Sequence, residues 1–367
     1  MNICIIGDGL TSLSLAKNLI NKKINIHIYY KNKINKLALG RTIGIAKNNF
    51  KFFEKKIDII KKKSFWPIKK IEIYSEKLEN NKILNFGEDN SILFYMVKNN
   101  ELYESLNNKL LKNKRFKKKL IKNNFYEDIL NTKKYDLIIN CDPNNFITKR
   151  YFSKNIVKDY YNQAFTTILK HEELENNTAI QIFTELGPIA FLPVSKVETS
   201  VVFSVEFKNY NIDEQVISAL IKKHNPKFKI KKMSKLKFFK LKLSNLRNYH
   251  NKNILAFGDI LHKVHPLAGQ GFNMTIRDIK ILSEIIQNKI DLGIQLDALI
   301  FEEFEKKTKH SNFIFSNGID FIYEFFNFDK KNKAKNITKI LKYIGRNQKI
   351  SNTLIKLADK GLNFSNY

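Results

Sequence analysis

Residues 3–30, ICIIGDGLTSLSLAKNLINKKINIHIYY, contain the pattern that decides the fold class. An apolar run at 3–6 is followed by a Gly-Asp-Gly turn at 7–9, then by apolar residues at helical spacing, and then by a second apolar run at 24–30. A strand, a tight turn, a helix and a second strand form a βαβ unit. Its right-handed crossover makes the sheet parallel and places the turn at the carboxyl end of the first strand, where doubly wound sheets bind ligands. We therefore expect an α/β fold.

Two further apolar runs predict more strands of the same sheet. Residues 135–141 and 253–257 have the composition of buried strands, and each run leads to an acidic residue, Asp142 or Asp259. Because parallel strands end at one edge of a sheet, we expect these two acidic residues to lie near the glycine turn.

The pattern between these strands is different. Residues 66–97 and 158–240 contain stretches in which apolar and polar residues alternate, as in antiparallel strands covered on one face. From about residue 297 the apolar spacing becomes helical. We predict a nucleotide-binding domain that is interrupted by an antiparallel-sheet domain and followed by C-terminal helices. The predicted limits are 1–65, 98–155 and 245–296 for the first domain, 66–97 and 156–244 for the second, and 297–367 for the helical region.

The composition is that of a globular protein. With 367 residues, 43% hydrophobic and 12% aromatic, the chain can bury a large core in about two structural units. The two cysteines, Cys4 and Cys141, fall in predicted strands, so neither a disulfide framework nor a zinc site is indicated. No apolar stretch reaches the roughly 18 residues of a membrane span, and no leader pattern precedes residue 3. We expect a protein of the reducing cytoplasm.

The net charge of +30 raises the possibility of nucleic-acid binding. Recognition of bases and bidentate recognition of phosphates favour arginine, however, and most of the 65 basic residues are lysines. The arginines are Arg41, Arg115, Arg150, Arg247, Arg277 and Arg346. We interpret the lysine excess mainly as compositional drift and expect no nucleic-acid partner. A lysine-rich surface would still attract an anionic membrane surface, so a peripheral position on the inner face of the cytoplasmic membrane is a second expected location.

The first turn has the spacing of a dinucleotide-binding motif. Gly7 permits the turn, and Gly9 lets a pyrophosphate approach the backbone at a helix N-terminus. Two features depart from that motif. Ser12 replaces the third glycine, and Tyr30 is nearest to the position of the acidic residue that would hold a ribose hydroxyl. Taken alone, the segment favours a nucleotide-binding turn only weakly, and a βαβ turn that binds no nucleotide remains open.

A second motif is more specific. Residues 258–273, GDILHKVHPLAGQGFN, resemble the G-D-x6-P-x2-G-x-G-x-N motif of flavin-dependent aromatic hydroxylases of the para-hydroxybenzoate hydroxylase type. Followed by Arg277 and Asp278, the run 265–273 resembles the ubiquinone-biosynthesis monooxygenase branch of that family. Other segments resemble the family in the same order, namely 39–44, 94–102, 161–164 and 183–193.

The resemblance implies a Rossmann-like FAD-binding domain and assigns site residues by motif position. Contacts with FAD are implied at Gly7, Gly9, Ser12, Arg41, Asp259, Pro266, Gly269, Gly271 and Asn273. A substrate cavity walled by the second domain is implied at Gly187, Pro188 and Phe191. No residue is assigned a catalytic role. The pair His262 and His265 lacks the further ligands of a metal site, so we expect no metal there.

The activity implied by the resemblance is FAD-dependent hydroxylation of the ring of a polyprenylated phenol or quinone precursor in ubiquinone biosynthesis. O2 is the implied co-substrate, and electrons come from NAD(P)H or from a separate carrier. Proteins of the ubiquinone-biosynthesis complex are the implied partners. Two further departures are Pro143, in place of the family's glycine after Asp142, and Thr275, in place of a glycine in the last motif. They leave two alternatives open, a catalytically degenerate scaffold of that complex and a related flavin reductase.

Overall fold

The computed structural model describes residues 1–31, 41–57, 64–76, 82–87, 91–121, 125–131, 134–206, 213–265 and 269–332. The strands are β1 Asn2–Ile6, β2 Asn25–Tyr30, β3 Thr42–Ala46, β4 Trp66–Ile68, β5 Lys70–Ser75, β6 Lys82–Phe86, β7 Phe94–Lys98, β8 Phe116–Leu120, β9 Leu137–Asn140, β10 Asn155–His171, β11 Thr178–Phe183, β12 Pro188–Pro193, β13 Glu198–Glu206, β14 Ile230–Met233, β15 Lys237–Leu246, β16 His250–Asn251, β17 Ile254–Ala256 and β18 His262–Lys263. The helices are α1 Leu10–Ile20, α2 Lys47–Phe52, α3 Asn99–Leu111, α4 Phe125–Asn131, α5 Phe146–Tyr151, α6 Glu214–Lys223, α7 Gln270–Asp291 and α8 Leu299–Asn332.

A six-stranded sheet in the order β16-β17-β9-β1-β2-β8 carries the first motif. All neighbouring strands in it are parallel except β16, which pairs antiparallel with β17. Residues 3–6 of β1 have no exposed surface, as expected for the middle of a parallel sheet covered on both faces. The structure thus confirms the predicted α/β class and the strands predicted around 3–6, 24–30, 135–141 and 253–257.

A nine-stranded, mostly antiparallel sheet forms a second layer. Strands β18-β15-β10-β13-β12-β11-β5-β6 are hydrogen-bonded in that order, and β14 pairs with β10. The alternating stretches in 158–240 predicted an antiparallel sheet and no helix, but Glu214–Lys223 is a helix, α6. Its apolar residues recur three to four positions apart, and Ile217 and Ile221 are fully buried in the core on one face of the sheet.

A small antiparallel sheet, β3-β7-β4, joins the cores of the two larger sheets. Ile45 and Val97 pack in the core of the parallel sheet, whereas Ile68 and Met96 pack with Ala179 of the nine-stranded sheet. The predicted domain limits at 65 and 97 fall within this sheet. Its strands therefore hold the two layers in a fixed relation.

Helix α8 also connects the two layers. It begins at Leu299, close to the predicted start at about 297. Phe301 and Phe304 are fully buried against the parallel sheet, while Tyr323 packs with Tyr160 of the other sheet. The side chains at 325–332 lie outside the described residues. None of the helices that the structure describes has the length and apolar composition needed to cross a membrane.

Replacement of Gly187 by alanine is expected to destabilise the second sheet strongly. Gly187 has a φ of +141°, and an added Cβ would lie 2.1 Å from the carbonyl oxygen of Ser204. Backbone strain and overlap together should lower the free energy of unfolding by about 2–5 kcal/mol. Chemical denaturation measures this loss.

The matched control is Gly318→Ala in α8. An added Cβ there meets no atom within 4 Å in the part of the chain that the structure describes, so the substitution should raise stability by about 0.5–1 kcal/mol. Equal stability of the two variants would contradict the conformation assigned to Gly187.

Candidate active site

A cavity of about 1010 Å³ lies between the carboxyl edge of the parallel sheet and one face of the nine-stranded sheet. Gly7, Asp259 and Gly269, which come from three separate predicted turns, all line it. The structure therefore brings together the two motifs that sequence analysis singled out.

The first turn presents an open helix N-terminus to the cavity. Gly7 has a φ of +116°, and its N–H donates to the carbonyl of Tyr29 at 2.8 Å. Gly9 is the N-cap of α1, and no described side chain caps this end of the helix. The first N–H groups of α1 are therefore available to an anionic ligand. Ser12 lies deeper in α1 and is fully buried.

The second turn lies directly against the first. Gly258 begins a 3₁₀ turn after β17, and a Cβ added to it would meet Cγ2 of Thr11 at 2.7 Å. Only glycine allows the two turns to approach so closely. Asp259 follows, and its exposed carboxylate faces the cavity.

The third turn presents a second open helix N-terminus. Gly269 is the left-handed N-cap of α7, and no described side chain caps this helix either. Gly269 and Gly271 line the cavity. Pro266, which was predicted to contact the cofactor, lies outside the described residues. The 22-residue helix α7 thus directs the positive end of its dipole at the cavity.

Asn273 holds this turn in place. Its side-chain oxygen accepts hydrogen bonds from the N–H of Ala46 and from Nδ2 of Asn49, both at 2.9 Å. Its Nδ2 donates to the carbonyls of Gly44 at 2.9 Å and Gly269 at 3.2 Å. The side chain is 2% exposed and ties α7 to β3 and α2, so these partners use its hydrogen-bonding capacity.

Arg41 places a positive charge against the second sheet. Its guanidinium lies 4.1 Å from the ring centroid of Phe239 on β15. Burial lowers the pKa of Arg41, and the nearby carboxylate of Asp259 offsets part of that effect. This places a partly desolvated cation on the cavity wall, where it favours a ligand that carries or develops negative charge.

The loop after β9 carries the Pro143 departure and offers few backbone donors. The N–H of Asp142 donates to Asn140 at 3.2 Å, and the N–H of Asn144 donates to Asp142 at 2.9 Å. Pro143 lines the cavity and has no N–H. The side chain of Asn145 is used as the cap of α5, since it accepts from the N–H of Thr148 at 2.8 Å.

The sheet wall of the cavity corrects part of the substrate prediction. On β12, Pro188, Ala190 and Leu192 line the cavity, whereas Phe191 is fully buried on the other face against Phe228. Gly187 is also absent from the lining that the structure describes. Because side chains alternate along a strand, Pro188 and Phe191 face opposite sides, and only Pro188 can contact a ligand here.

The wall also contains polar side chains that sequence analysis missed. Thr42 donates a hydrogen bond to Ser200 at 2.8 Å across the cavity edge. Ser204 and Gln181 line the same face, and no described residue hydrogen-bonds their side chains. The two serines could have been predicted from the alternating sequence ETSVVFSVE of β13, which places Ser200, Val202 and Ser204 on one face of the strand.

The two histidines of the second motif have structural partners. Nε2 of His262 lies 2.6 Å from Oδ2 of Asp278, and both residues are at most 1% exposed. His265 stacks on Tyr323, with ring centroids 4.2 Å apart, and contacts Tyr160 edge-on. The described residues contain no group of three or more potential ligands placed to share a metal ion.

A family model described as squalene epoxidase matches residues 134–364, which is more than half of the chain. The chain belongs to the squalene epoxidase family.

The chain is also similar to curated ubiquinone-biosynthesis enzymes. The mitochondrial ubiquinone biosynthesis monooxygenase of Dictyostelium discoideum is 27% identical over 172 residues, covering 47% of this chain and 34% of that protein. The matches to curated relatives span less than half of each relative's own length. These relatives confirm the predicted kinship with ubiquinone-biosynthesis hydroxylases.

Solved structures show that the family fold extends over almost the whole chain. The p-nitrophenol 4-monooxygenase of Pseudomonas putida superposes with a TM-score of 0.77 at 10% identity, covering 97% of this chain and 98% of that one. Klebsiella pneumoniae HpxO, complexed with FAD and uric acid, superposes with a TM-score of 0.72 at 13% identity, covering 98% and 96%. At these identities the similarity establishes a shared fold.

Because His265 is buried, the free energy of unfolding should decrease as the pH is lowered. Burial lowers its pKa from 6.5 to about 3, so the folded protein keeps the ring neutral while the unfolded chain takes up a proton below about pH 6.5. The contribution of neutral His265 to the free energy of unfolding is fully present above pH 6.5. It is lost as the pH falls towards 3, by up to about 1.4 kcal/mol per pH unit. Denaturation at several pH values measures the slope.

The informative variant is His265→Phe, which keeps an aromatic ring between Tyr160 and Tyr323 without a titrating group. Its free energy of unfolding should depend less on pH between 4 and 6.5 than that of the wild type. The exposed His310→Gln is the control and should leave the slope unchanged. Identical slopes in all three proteins would contradict the burial of a neutral His265.

Proposed function

We propose that this protein is an FAD-dependent monooxygenase that hydroxylates the ring of a polyprenylated phenol or quinone precursor in ubiquinone biosynthesis. Its family, the functions of its curated relatives and the FAD complex of a protein with the same fold support the proposal. The proposal depends most on one observation, namely two uncapped helix N-termini that open on one cavity together with a polar sheet wall.

The cavity fits FAD. A dinucleotide needs a pyrophosphate site, a contact for its ribityl hydroxyls and space for its ring. Gly7 and Gly9 at the start of α1 would hold the pyrophosphate, Asp259 would accept from the ribityl chain, and Gly269 and Gly271 would border the ring. A volume of about 1010 Å³ leaves room for a substrate beside the cofactor.

The residues of the chain position the reactants and stabilise charge. Reduced FAD bound here would react with O2 and supply the oxygen atom transferred to an electron-rich ring. The N-terminus of α7 would stabilise negative charge next to Gly269. Arg41, held over Phe239, adds a fixed cation on the same wall. The strands β10 to β13 cover the substrate side and exclude water.

The polar wall favours a ring that carries oxygen substituents. Ser200, Ser204 and Gln181 line the face with Ala190 and Leu192, so the wall combines hydrogen-bonding groups with apolar surface. The family description raises a second candidate, epoxidation of an isoprenoid hydrocarbon. A hydrocarbon would bury Ser204 and Gln181 without hydrogen-bond partners, at a cost of about 1–3 kcal/mol each. We therefore favour the ring hydroxylation.

We propose that the electron donor is either a nicotinamide cofactor that binds transiently or a separate electron carrier. The loop at Asp142 and Pro143 offers neither of its first two N–H groups to a ligand, because one is internally bonded and the other is missing. A stable second nucleotide site on this loop is therefore disfavoured.

We also propose that the protein works at the inner face of the cytoplasmic membrane, where a polyprenylated substrate resides, alone or with proteins of the biosynthetic complex. The net charge of +30 favours anionic headgroups, each lysine near the surface contributing at most about 1 kcal/mol. Phe313 and Phe321 of α8 are exposed apolar side chains that suit such a surface. Salt-sensitive co-sedimentation with anionic liposomes supports this location, and its absence at low salt contradicts it.

The FAD site can be tested with Gly9→Ala. A Cβ at Gly9 meets no atom of the described residues within 4 Å, so the variant should fold as the wild type does. Its methyl group would occupy the space through which the pyrophosphate approaches α1, and FAD affinity should fall at least about tenfold, or 1.4 kcal/mol. The absorbance spectrum and fluorescence titration of the purified protein measure this.

Gly318→Ala is the control and should bind FAD as the wild type does. A wild-type protein that is colourless and takes up no added FAD would contradict the proposal and support the scaffold alternative.

The substrate assignment can be tested with Gln181→Leu. Loss of one wall hydrogen bond should lower kcat/KM for a polyprenylated phenol about five- to tenfold, while FAD retention stays unchanged. The exposed Gln215→Leu on α6 is the matched control. Turnover of an isoprenoid hydrocarbon instead, with Gln181→Leu raising it, would favour epoxidation.

A further inference from the structure

A buried charged cluster lies beside the first turn, at the carboxyl ends of β1 and β2. Nζ of Lys118 on β8 lies 2.7 Å from Oδ1 of Asp8, and the hydroxyl of Tyr103 on α3 donates to the same oxygen at 2.9 Å. Lys118 also lies 5.2 Å from the ring centroid of Tyr30. Asp8 and Tyr30 both line the cavity.

One carboxylate oxygen of Asp8 remains available. Lys118 and Tyr103 both approach Oδ1, and no described residue donates to Oδ2. Asp8 is only 9% exposed and lines the cavity, so Oδ2 can accept a hydrogen bond from a group that enters the cavity. Burial and the charge of Asp8 raise the pKa of Tyr103, which keeps its hydroxyl protonated as a donor.

The cluster lies near the end of β2, where a dinucleotide-binding motif normally has a ribose-binding carboxylate and this chain has none. In the dinucleotide motif an acidic side chain after the second strand accepts from a ribose hydroxyl, and here Tyr30 ends that strand. The N–H of Gly7 bonds to the carbonyl of Tyr29, which fixes the turn carrying Asp8 against the end of β2. A carboxylate is therefore present at the same edge of the sheet, supplied by the turn and not by β2.

We propose that Asp8 accepts a hydrogen bond from a ribose hydroxyl of the adenosine half of the cofactor, and that Lys118 and Tyr103 are positioning residues that orient its carboxylate. The inference rests on the proposed function, in that it requires an adenine dinucleotide at this turn. The ion pair with Lys118 makes the cluster close to neutral, so it suits a neutral diol better than a ribose phosphate.

The experiment titrates the apoprotein with FAD and with FAD analogues that lack the 2′- or the 3′-hydroxyl of the adenosine ribose. The wild type should bind at least one deoxy analogue about tenfold or more weakly than FAD, because a hydroxyl on a buried carboxylate is a strong hydrogen bond. Asp8→Ala should weaken FAD binding and remove that preference. Lys118→Met should reduce the preference, since the carboxylate loses its orientation.

Asp259→Ala is the matched control, because this carboxylate lies at the other turn. It should weaken FAD and the deoxy analogues by the same factor and keep the preference. Thermal unfolding of each apoprotein checks folding, and Asp8→Asn, of nearly equal volume, replaces Asp8→Ala if the latter does not fold.

Three outcomes separate the claims. Equal binding of FAD and both deoxy analogues by the wild type overturns the role of Asp8 and leaves the FAD site intact. A preference that persists in the Asp8 variant also overturns it. An apoprotein that binds no FAD overturns the proposed function and this inference together.

Discussion

The parallel pairing of β1 with β2 and β9 is the constraint on which the site depends. Residues 3–6 are completely buried, and their register with residues 26–29 and 137–140 leaves no freedom to slide without exposing apolar side chains. Because parallel strands end at one edge, the turn at Gly7, the loop at Asp142 and the turn at Gly258 must meet there. The close approach of Gly258 to Thr11 is a direct result of that geometry.

The distance between the two layers depends on a few buried polar contacts. Asn273 links α7 to β3 and α2, and Thr42 of β3 bonds to Ser200 of the larger sheet. Arg41 adds a cation–π contact to Phe239 on that sheet. Each unmade buried hydrogen bond costs about 1–3 kcal/mol, so these contacts resist displacement of one layer relative to the other. Arg41, Thr42, Ser200 and Phe239, which form two of these contacts, also border the cavity.

The sequence predicted the local features of the fold well and its long-range contacts poorly. The βαβ unit and the strands before Asp142 and Asp259 follow from runs and turns within about 30 residues. The helix at 214–223 was missed because a short apolar pattern within an alternating region was assigned the period of its surroundings. Phe191 was placed on the cavity because a motif gives a segment and not a strand face.

The contacts of the site residues were less predictable still. The partners of Asp8 lie on α3 and β8, at least 95 residues away in the chain, and the partner of His262 lies on α7, 16 residues away. No spacing rule joins either residue to its partners. For Asn273, the motif predicted a ligand contact, and the structure adds four bonds to the protein itself. A motif identifies residues that a site needs, but it does not distinguish those that touch a ligand from those that hold the site in shape.

The glycines help to distinguish residues that contact a ligand from residues that only shape the site. The chain has only 13 glycines, about half the usual share of roughly 7%, so each retained one calls for a reason. Gly7 and Gly269 have positive φ, and the fold alone explains them. Gly9 and Gly271 have ordinary φ, and an added Cβ would meet nothing closer than 3.9 Å. Gly318 is equally open but lies on α8 away from the cavity, whereas Gly9 and Gly271 line it. At these two positions the described residues give no reason for a glycine, and we propose that the close approach of a bound molecule to the backbone is the reason.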